Sequence, residues 1–457
     1  MGKRLPTIAA AALTAALLAL AAPAAARTGV APAHGFAPHQ LVVKFAGDRR
    51  GQTVALPKGV GVRAGARALR RSPKVVYAEP NYVARASATP ESEIPNDSGS
   101  LEGVAEVASA FGGWALRQWN FLDWEGVSTP GLPTSPGGID AVGAWRHLEE
   151  EGRPGAEGEV VAILDTGVAY RSKGSRYLRS PDFTSGQFAK GYDFVGHDRL
   201  PLDTNGHGTH VAGTIAEKTN NGTGLTGLAY RARLMPIRVL DERGVGYASV
   251  IAKGIRFAIA HHADVINMSF NFECGQAVPV VDEALREAYA KGIVTVASGG
   301  NLDLSGRAPA GAKTCVSDPA TGPRVIGVGG TTEGGCLGNY SLAGTAIDLV
   351  APGGGNPEAG CPSVLARPIY QVTLRKDTTN EFSIPSNYVG TSMAAAHVSG
   401  VAAMVLASGV LGRQPTPKAR VQAVTRRLRK TSRSLGLPAT QQGAGLIDAG
   451  AATDPNL

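Results

Sequence analysis

Short, uninterrupted apolar runs alternate with helical segments along the chain, and this alternation restricts the fold more than any other sequence feature. The apolar runs lie at 160–164, 234–240, 265–269, 293–297 and 325–328. Segments of helical composition lie at 209–216, 247–262, 280–291 and 392–407. A strand that is apolar on both faces is covered on both faces, and strands joined through helices pair in parallel. The sequence therefore predicts an α/β fold of three layers, in which a central, mostly parallel sheet is flanked by helices.

Ahead of this domain, the first 117 residues divide into segments of different composition. Residues 1–26 combine a basic start, an apolar stretch and a run of alanines, which is the pattern of a secretory signal peptide. Residues 27–86 predict a small α+β module with strands at 40–45 and 75–83 and a helix at 62–71, but no recognisable strands between. Residues 87–117 have the Ser, Glu and Pro content of a linker. Residues 118–457 form the main domain.

A compact module, a linker and a large domain in this order are typical of a zymogen, although a small N-terminal domain without a regulatory role has the same layout. The apolar stretch at 8–22 is short for a membrane span, and no later run is long enough. We therefore expect a secreted, soluble monomer with no membrane attachment after export.

The formal net charge of +8 is modest for 457 residues. Basic residues cluster between Lys418 and Arg433, where Val421, Val424 and Leu428 recur at helical spacing. This spacing predicts a surface helix with a solvated basic face. Because no aromatic residues are interleaved with the basic ones, we expect no nucleic-acid partner.

The chain contains four cysteines: Cys274, Cys315, Cys336 and Cys361. In an exported protein they predict two disulfides, for which three pairings exist. Their spacing does not match a zinc site. We favour the pairing of neighbours, Cys274 with Cys315 and Cys336 with Cys361.

Two polar side chains follow apolar or glycine-rich segments in a way that suits proton transfer. Asp165 comes directly after the apolar run 160–164, where a rigid carboxylate can orient an imidazole, although an aspartate before Thr-Gly also forms turns and caps. His207 stands between glycines at the start of a helix, where an exposed imidazole can take up and return a proton. A metal pair with His210 is a rival, but the spacing of His-Glu-x-x-His is missing, and His210 is better explained as a buried structural residue.

Two further side chains suit nucleophilic chemistry. Ser392 follows Gly390-Thr391 and enters a long apolar helix, so that it is either a nucleophile beside free backbone N–H groups or an ordinary helix cap. Asn301 ends an apolar run that leads into two glycines, where its amide can donate to a developing oxyanion or form a turn. None of these assignments is decisive alone.

Together, in the order Asp, His, Ser, these motifs resemble those of the subtilisin-like serine proteases (subtilases, peptidase family S8). The matching segments are Asp165-Thr166-Gly167, His207-Gly208-Thr209-His210, Asn301 and Gly390-Thr391-Ser392-Met393-Ala394. The resemblance implies a catalytic triad of Asp165, His207 and Ser392, with Asn301 at the oxyanion. It also implies that the substrate is held between an edge strand at Gly244, Val245 and Gly246 and a second strand at Ser269, Phe270 and Asn271. Residues 40–83 resemble the inhibitory propeptide of the family.

The chain also departs from the family pattern. Asn271 stands where a glycine usually lines the first specificity pocket, so no side-chain preference follows from the resemblance. Many relatives bind calcium, and residues 220–224 resemble one such loop. Asp193 and Asp198 fall near a second site, but Gly196 and Leu202 lack the side-chain oxygens expected there. We assign no metal ligands and expect no cofactor in catalysis.

The sequence thus predicts a secreted serine endopeptidase that acts on proteins or peptides through an acyl-enzyme on Ser392 and is made as a self-processed zymogen bound by its own propeptide. A catalytically silent peptide-binding protein on the same scaffold remains an alternative. A serine esterase of the α/β-hydrolase type is a weaker one, because its histidine would follow the serine in the chain.

Overall fold

The computed structural model describes residues 36–48, 50–57, 59–82, 95–101, 112–128, 131–302 and 312–457. The predicted signal segment, 1–26, and the stretches 83–94 and 102–111 within the predicted module and linker lie outside the described residues. The chain divides into two compact units, Met1–Pro90 and Glu91–Leu457. The larger unit therefore begins earlier than the predicted domain start at residue 118.

The smaller unit is an antiparallel sheet with one helix. Its elements are β1 (Phe36–Phe45), β2 (Gln52–Ala55), α1 (Val62–Leu69) and β3 (Val75–Tyr82), and the strand order is β2-β1-β3. Leu41, Val43 and Leu69 are buried in its core. The prediction that no strand lies between the outer two was wrong: β2 is only four residues long and half polar, so pairing with β1 rather than an apolar run defines it.

The larger unit is built on a seven-stranded sheet in which every pair of neighbours is parallel, as predicted. Its strands are β4 (Val160–Asp165), β5 (Tyr192–Asp193), β6 (Arg233–Arg238), β7 (Val265–Met268), β8 (Val294–Ser298), β9 (Ile326–Thr331) and β10 (Leu349–Pro352), in the order β10-β9-β8-β7-β4-β6-β5. A separate hairpin consists of β11 (Thr373–Leu374) and β12 (Phe382–Ser383). The sequence missed β5 and β10, which lie at the two edges and are short.

Helices cover both faces of the sheet. They are α2 (Trp114–Arg117), α3 (Ala141–Glu150), α4 (His207–Ala216), α5 (Ala248–Ala260), α6 (Pro279–Ala290), α7 (Thr391–Ser408), α8 (Pro417–Thr431), α9 (Ala439–Gln442) and α10 (Ala449–Thr453), with short 3-10 turns at Trp119–Phe121, Pro154–Ala156, Ser185–Gln187 and Ala312–Thr314. Helices α5 and α6 pack on one face, and α3, α4 and α7 on the other. This is the predicted three-layer arrangement.

Helix α7 is the central element of the second face and packs against β7, β8, β9 and β10. Among the described residues it is the helix long and apolar enough to cross a membrane, but 89% of it is buried inside the unit. It is therefore a core helix, and burial on all sides explains why it is apolar all round.

The predicted surface helix and the predicted cysteine pairs are both present in the structure. The basic segment forms α8, with Val421, Val424 and Leu428 buried, and the predicted surface helix is confirmed. The cysteines pair as Cys274–Cys315 and Cys336–Cys361, which confirms the favoured pairing.

The described parts of the predicted linker do not form an extended connector. Trp114 is fully buried, and its Nε1 donates to the carbonyl oxygen of Pro95 at 2.7 Å. Asp97 is also fully buried, and its carboxylate accepts from the backbone N–H groups of Asn220 and Asn221. Both ends of this stretch are thus packed into the larger unit.

Candidate active site

Asp165 and His207 meet at the carboxyl edge of the sheet. Asp165 is the last residue of β4 and is fully buried, and its Oδ1 accepts from Nδ1 of His207 at 2.8 Å and from the backbone N–H of Thr166 at 2.8 Å. His207 begins α4, and Gly208 lets the helix approach β4, since a Cβ built there would lie 2.1 Å from the carbonyl oxygen of Gly167. The bond to Nδ1 leaves Nε2 as the free ring nitrogen that can accept a proton.

Burial and nearby carboxylates shift the pKa of His207 in opposite directions. Burial lowers its pKa, but the charge of Asp165, the hydrogen bond to it and the charge of Asp203 raise the pKa more, so that it lies above its ordinary value. The side chain keeps 26% of its surface exposed, which leaves the ring open to a substrate. The raised pKa means that the imidazole has a higher affinity for the proton that it takes up as a general base.

Asp203 supports both residues, a role that the sequence analysis missed. Its carboxylate accepts from the hydroxyls of Thr166 at 2.9 Å and Thr209 at 2.5 Å, and from three backbone N–H groups, those of residues 205, 206 and 209. The carboxylate thereby ties the end of β4 to the first turn of α4. Its place in the motif, four residues before His207, was the only available signal.

Ser392 is the second residue of α7 and is half-buried. Its Oγ donates to the carbonyl oxygen of Ser269 at 3.1 Å, and the Ser269 hydroxyl donates to the carbonyl oxygen of Ser392 at 2.8 Å. Ser269 directly follows β7, whose Met268 pairs with Leu164 of β4. Adjacent strands are about 4.8 Å apart. The end of β7, to which Ser392 is bonded, and the end of β4, to which His207 is bonded, are therefore immediate neighbours.

The hydroxyl of Ser392 is therefore directed at a backbone carbonyl in this structure. To donate to Nε2 of His207, the hydroxyl must give up its hydrogen bond to the Ser269 carbonyl. Hydrogen bonds of this kind are often long or misaligned without substrate and tighten when substrate binds. The geometry brings the acid, base and hydroxyl to one edge without aligning the last hydrogen bond.

Asn301 lies on the opposite side of Ser392. Its Oδ1 accepts from the backbone N–H of Thr391 at 2.9 Å and from the Thr391 hydroxyl at 3.0 Å. The backbone N–H can only donate, so the amide oxygen must face it. The amide Nδ2 is consequently turned away from the backbone N–H of Thr391, the residue that precedes Ser392.

The two segments predicted to hold a substrate differ in form. Ser269, Phe270 and Asn271 come directly after β7, which ends at Met268, and are not strand residues, so their role in holding a substrate stays a prediction. Gly244, Val245 and Gly246 form part of an exposed turn instead of the predicted edge strand. The reason is Asp241, whose carboxylate accepts from the backbone N–H groups of Arg243 and Val245, both at 2.9 Å, and curls the segment.

Two buried histidines near the site, His210 and His397, are held by hydrogen bonds and ring packing. Nε2 of His210 donates to the carbonyl oxygen of Ile369 at 3.1 Å, and the ring stacks on Tyr388 with ring centroids 4.0 Å apart; burial lowers the pKa of His210 to about 3. This confirms the interpretation of His210 as a packed, hydrogen-bonded residue. His397 contacts Asn120 at 2.8 Å and the carbonyl of Met393 at 2.7 Å, and burial lowers its pKa to about 4. Both rings are therefore neutral.

Comparison with known proteins identifies the family. The family model described as "Subtilase family" matches residues 156–445, which is more than half of the chain. The chain belongs to the subtilase family. It is therefore a serine endopeptidase by family, as the resemblance implied, and its substrates are proteins or peptides.

This subtilase is 33% identical over 349 residues to the thermophilic serine proteinase of Bacillus sp. (strain AK1), covering 76% of this chain and 67% of that protein. It is 33% identical over 274 residues to thermitase of Thermoactinomyces vulgaris, covering 60% of this chain and 82% of that protein. Among solved structures, a protease from Pseudoalteromonas arctica PAMC 21717 superposes with a TM-score of 0.58 at 28% identity, covering 79% of this chain and 98% of that one.

Across the described ranges, no group of three or more His, Cys, Asp or Glu side chains is arranged to hold a metal ion. Asp193 is engaged by Arg238 at 3.0 Å, so its carboxylate is already neutralised. The loop 220–224 is different, because the buried carboxylates of Asp97 and Asp182 both face it. Burial is the main cause that raises the pKa of Asp97 to about 6 and that of Asp182 to about 8.

Proposed function

We propose that this subtilase cleaves peptide bonds through an acyl-enzyme formed on Ser392. The observation that carries the proposal is the 2.8 Å hydrogen bond between Asp165 and His207 at the same sheet edge as the Ser392 hydroxyl. His207 Nε2 removes the proton from Oγ as it attacks the peptide carbonyl, and Asp165 holds the ring and stabilises the imidazolium. His207 then gives the proton to the leaving amine, and a water molecule releases the acyl group by the same route in reverse.

The developing oxyanion is stabilised by two donors. One is the Nδ2 group of Asn301, whose orientation is held by the two hydrogen bonds from Thr391. The other is the backbone N–H of Ser392, which lies in the first turn of α7 and so has no partner within the helix. Because both donors are positioned before the reaction begins, they stabilise the transition state without reorganisation.

A fluorophosphonate probe tests the assignment of the nucleophile. The purified protein should be labelled on Ser392 alone, and Ser392→Ala should abolish labelling and turnover of a chromogenic peptide. Ser249→Ala, a change at an exposed serine of α5, should leave both unchanged. Folded, processed protein that cleaves peptides but carries its label elsewhere would refute the mechanism. If the wild type also binds peptides but does not turn them over, the catalytically silent alternative is supported.

We also propose that the chain is secreted and that it removes its own N-terminal module. The two disulfides suit an oxidising compartment, and a relative from Xanthomonas campestris is named an extracellular protease. Because Asp97 and Trp114 are buried in the larger unit, a cut before Pro95 leaves that unit intact. We therefore place the cut between Ser87 and Pro95, within the interval 87–117 favoured by composition.

N-terminal sequencing of secreted protein tests this placement. The mature chain should begin between residues 88 and 95, and the Ser392→Ala variant should keep its full N-terminal module. A fully active protein that begins well before Ser87 would contradict the assignment of residues 27–86 as a propeptide. The module, supplied as a separate peptide, should inhibit the mature enzyme.

Catalysis by this route needs no cofactor, and calcium would serve stability only. Calcium prefers several hard oxygen ligands. The carboxylates of Asp97 and Asp182 both face the loop 220–224, and burial is the main cause of their raised pKa values. A cation bound there would offset the cost of burying these two charges.

A further inference from the structure

The cleft beside Ser392 is bounded by two segments of adjacent strands. Segment Ser269–Asn271 continues β7, and segment Ser298–Asn301 continues the end of β8, whose Ala297 pairs with Met268. The first segment is bonded to Ser392 through Ser269, and the second touches Thr391 through Asn301. The nucleophile therefore lies between them. These two segments are therefore the surfaces nearest to the residue whose carbonyl reacts with Ser392.

The side chain of Asn271 crosses the cleft from the first segment to the second. Its Nδ2 donates to the carbonyl oxygen of Ser298 at 2.6 Å, and the Ser298 hydroxyl donates to its Oδ1 at 3.0 Å. Two hydrogen bonds that run in opposite directions fix both the position and the orientation of the amide. A flipped amide would place two acceptors together at the Ser298 carbonyl and lose that bond.

The amide of Asn271 also lies over the floor of the cleft. A Cβ built on Gly300 would lie 3.7 Å from its Cγ, which is ordinary contact distance. Leu342 Cδ1 lies nearer, 2.7 Å from that Cβ, so Gly300 first makes room for Leu342, and the Asn271 amide lies against the same glycine. Asn271 is itself exposed, whereas Ser298 is fully buried, so the crossing amide faces the solvent from which a substrate arrives.

We propose that Asn271, locked by Ser298, closes this cleft to large side chains and makes the subtilase selective for peptides with a small residue, such as Ala or Ser, before the cleaved bond. The inference rests on the proposed function of Ser392. A Phe or Leu side chain could enter only by displacing the amide, which would strip the buried Ser298 carbonyl of its partner, whereas the Ser298 hydroxyl could still donate to the carbonyl oxygen of Phe270. Leaving buried polar groups unpaired is strongly unfavourable.

Three chromogenic tetrapeptides that differ only in Ala, Leu or Phe before the scissile bond test the inference. Wild type should show a kcat/KM for the Ala peptide about 10- to 100-fold above that for the Phe peptide. Asn271→Gly opens the cleft and should raise kcat/KM for the Phe peptide by about the same factor, while changing that for the Ala peptide less than about threefold. Ser298→Ala removes one of the two bonds to the amide and should give a smaller gain.

Asn456→Gly is the matched control, since Asn456 is exposed near the C-terminus, and it should leave the ratio of the two peptides unchanged. Wild type that cleaves the Phe peptide as fast as the Ala peptide would overturn the inference while the proposed function stands. If folded wild type cleaves none of the three peptides, both the inference on Asn271 and the proposed function of Ser392 are refuted. Mass spectrometry of casein fragments made by wild type gives a second measurement, independent of any variant. Aromatic residues before most of the cut bonds would likewise overturn the inference.

Discussion

Replacing Gly390 by alanine should damage catalysis through Asn301. Gly390 precedes α7 with φ 148° and ψ 171°, a conformation that costs a residue with a side chain about 1–3 kcal/mol. A Cβ at this position would lie 3.1 Å from Nδ2 and 3.3 Å from Oδ1 of Asn301. The added methyl group therefore strains the backbone and presses on the amide that we propose as an oxyanion donor.

The amide can move away only by lengthening its hydrogen bonds of 2.9 and 3.0 Å from Thr391. Loss of one oxyanion donor lowers turnover by about 10²–10³-fold. Because the methyl group displaces the donor rather than removing it, we expect kcat of Gly390→Ala to fall about 10- to 100-fold. The KM should change less than about twofold, since the donor acts on the transition state rather than on the bound peptide.

The assay is steady-state hydrolysis of a chromogenic peptide, with thermal unfolding of the same preparations. Gly409→Ala is the control: Gly409 also has positive φ, 78°, but no atom lies within 4 Å of its built Cβ. This variant should lose about 1–2 kcal/mol of stability and keep its kcat. In an Asn301→Ala background, Gly390→Ala should lower kcat less than about threefold, because a donor already removed cannot be displaced. An equal loss of kcat in both backgrounds would refute the reasoning.

Three other predictions follow from the charges and cross-links. Burial lowers the pKa of His207, but Asp165 and Asp203 raise it more, so the acid limb of the log kcat/KM profile should have its midpoint above pH 6.5. Asp165→Asn should shift this limb to lower pH and reduce kcat about 10⁴-fold. A limb that does not move would count against the pairing of Asp165 with His207. Glu217 is fully buried, and burial with the charge of Asp182 raises its pKa well above 4.5, so the folded state gains stability from the bound proton at low pH and loses it as the pH rises. In a Ser392→Ala background that prevents self-digestion, the free energy of unfolding of Glu217→Gln should rise relative to that of its parent by about 1.4 kcal/mol per pH unit between the unfolded-state and the folded-state pKa of Glu217, and parallel curves would disprove it. Replacing Cys274 and Cys315, 41 residues apart, by serine should cost about 4 kcal/mol in urea unfolding, whereas an unchanged midpoint would show that the bridge does not stabilise the fold.

Much of the layered fold is encoded locally. A run such as Val160–Asp165 is apolar on both faces, so it can only be buried between two layers, and its polar last residue necessarily falls at the edge of the sheet. Parallel pairing then brings the ends of β4, β7 and β8 to that edge, which is why the pattern of apolar runs alone groups Asp165, Ser269 and Asn301. The same local pattern did not indicate β2, a short half-polar strand defined by its partner.

By itself, the sequence determined the family, the layers and the identity of the side chains at the sheet edge, because these depend on local apolar runs and on motifs continuous in the chain, whereas it left three cysteine pairings open. Only the tertiary structure decided that Asp241 curls residues 244–246, that Asp203 ties Thr166 to Thr209 and that Asn271 reaches Ser298. Each of these contacts joins polar groups whose partner is set by the path of the chain in space. No composition or periodicity of either segment specifies such a pair.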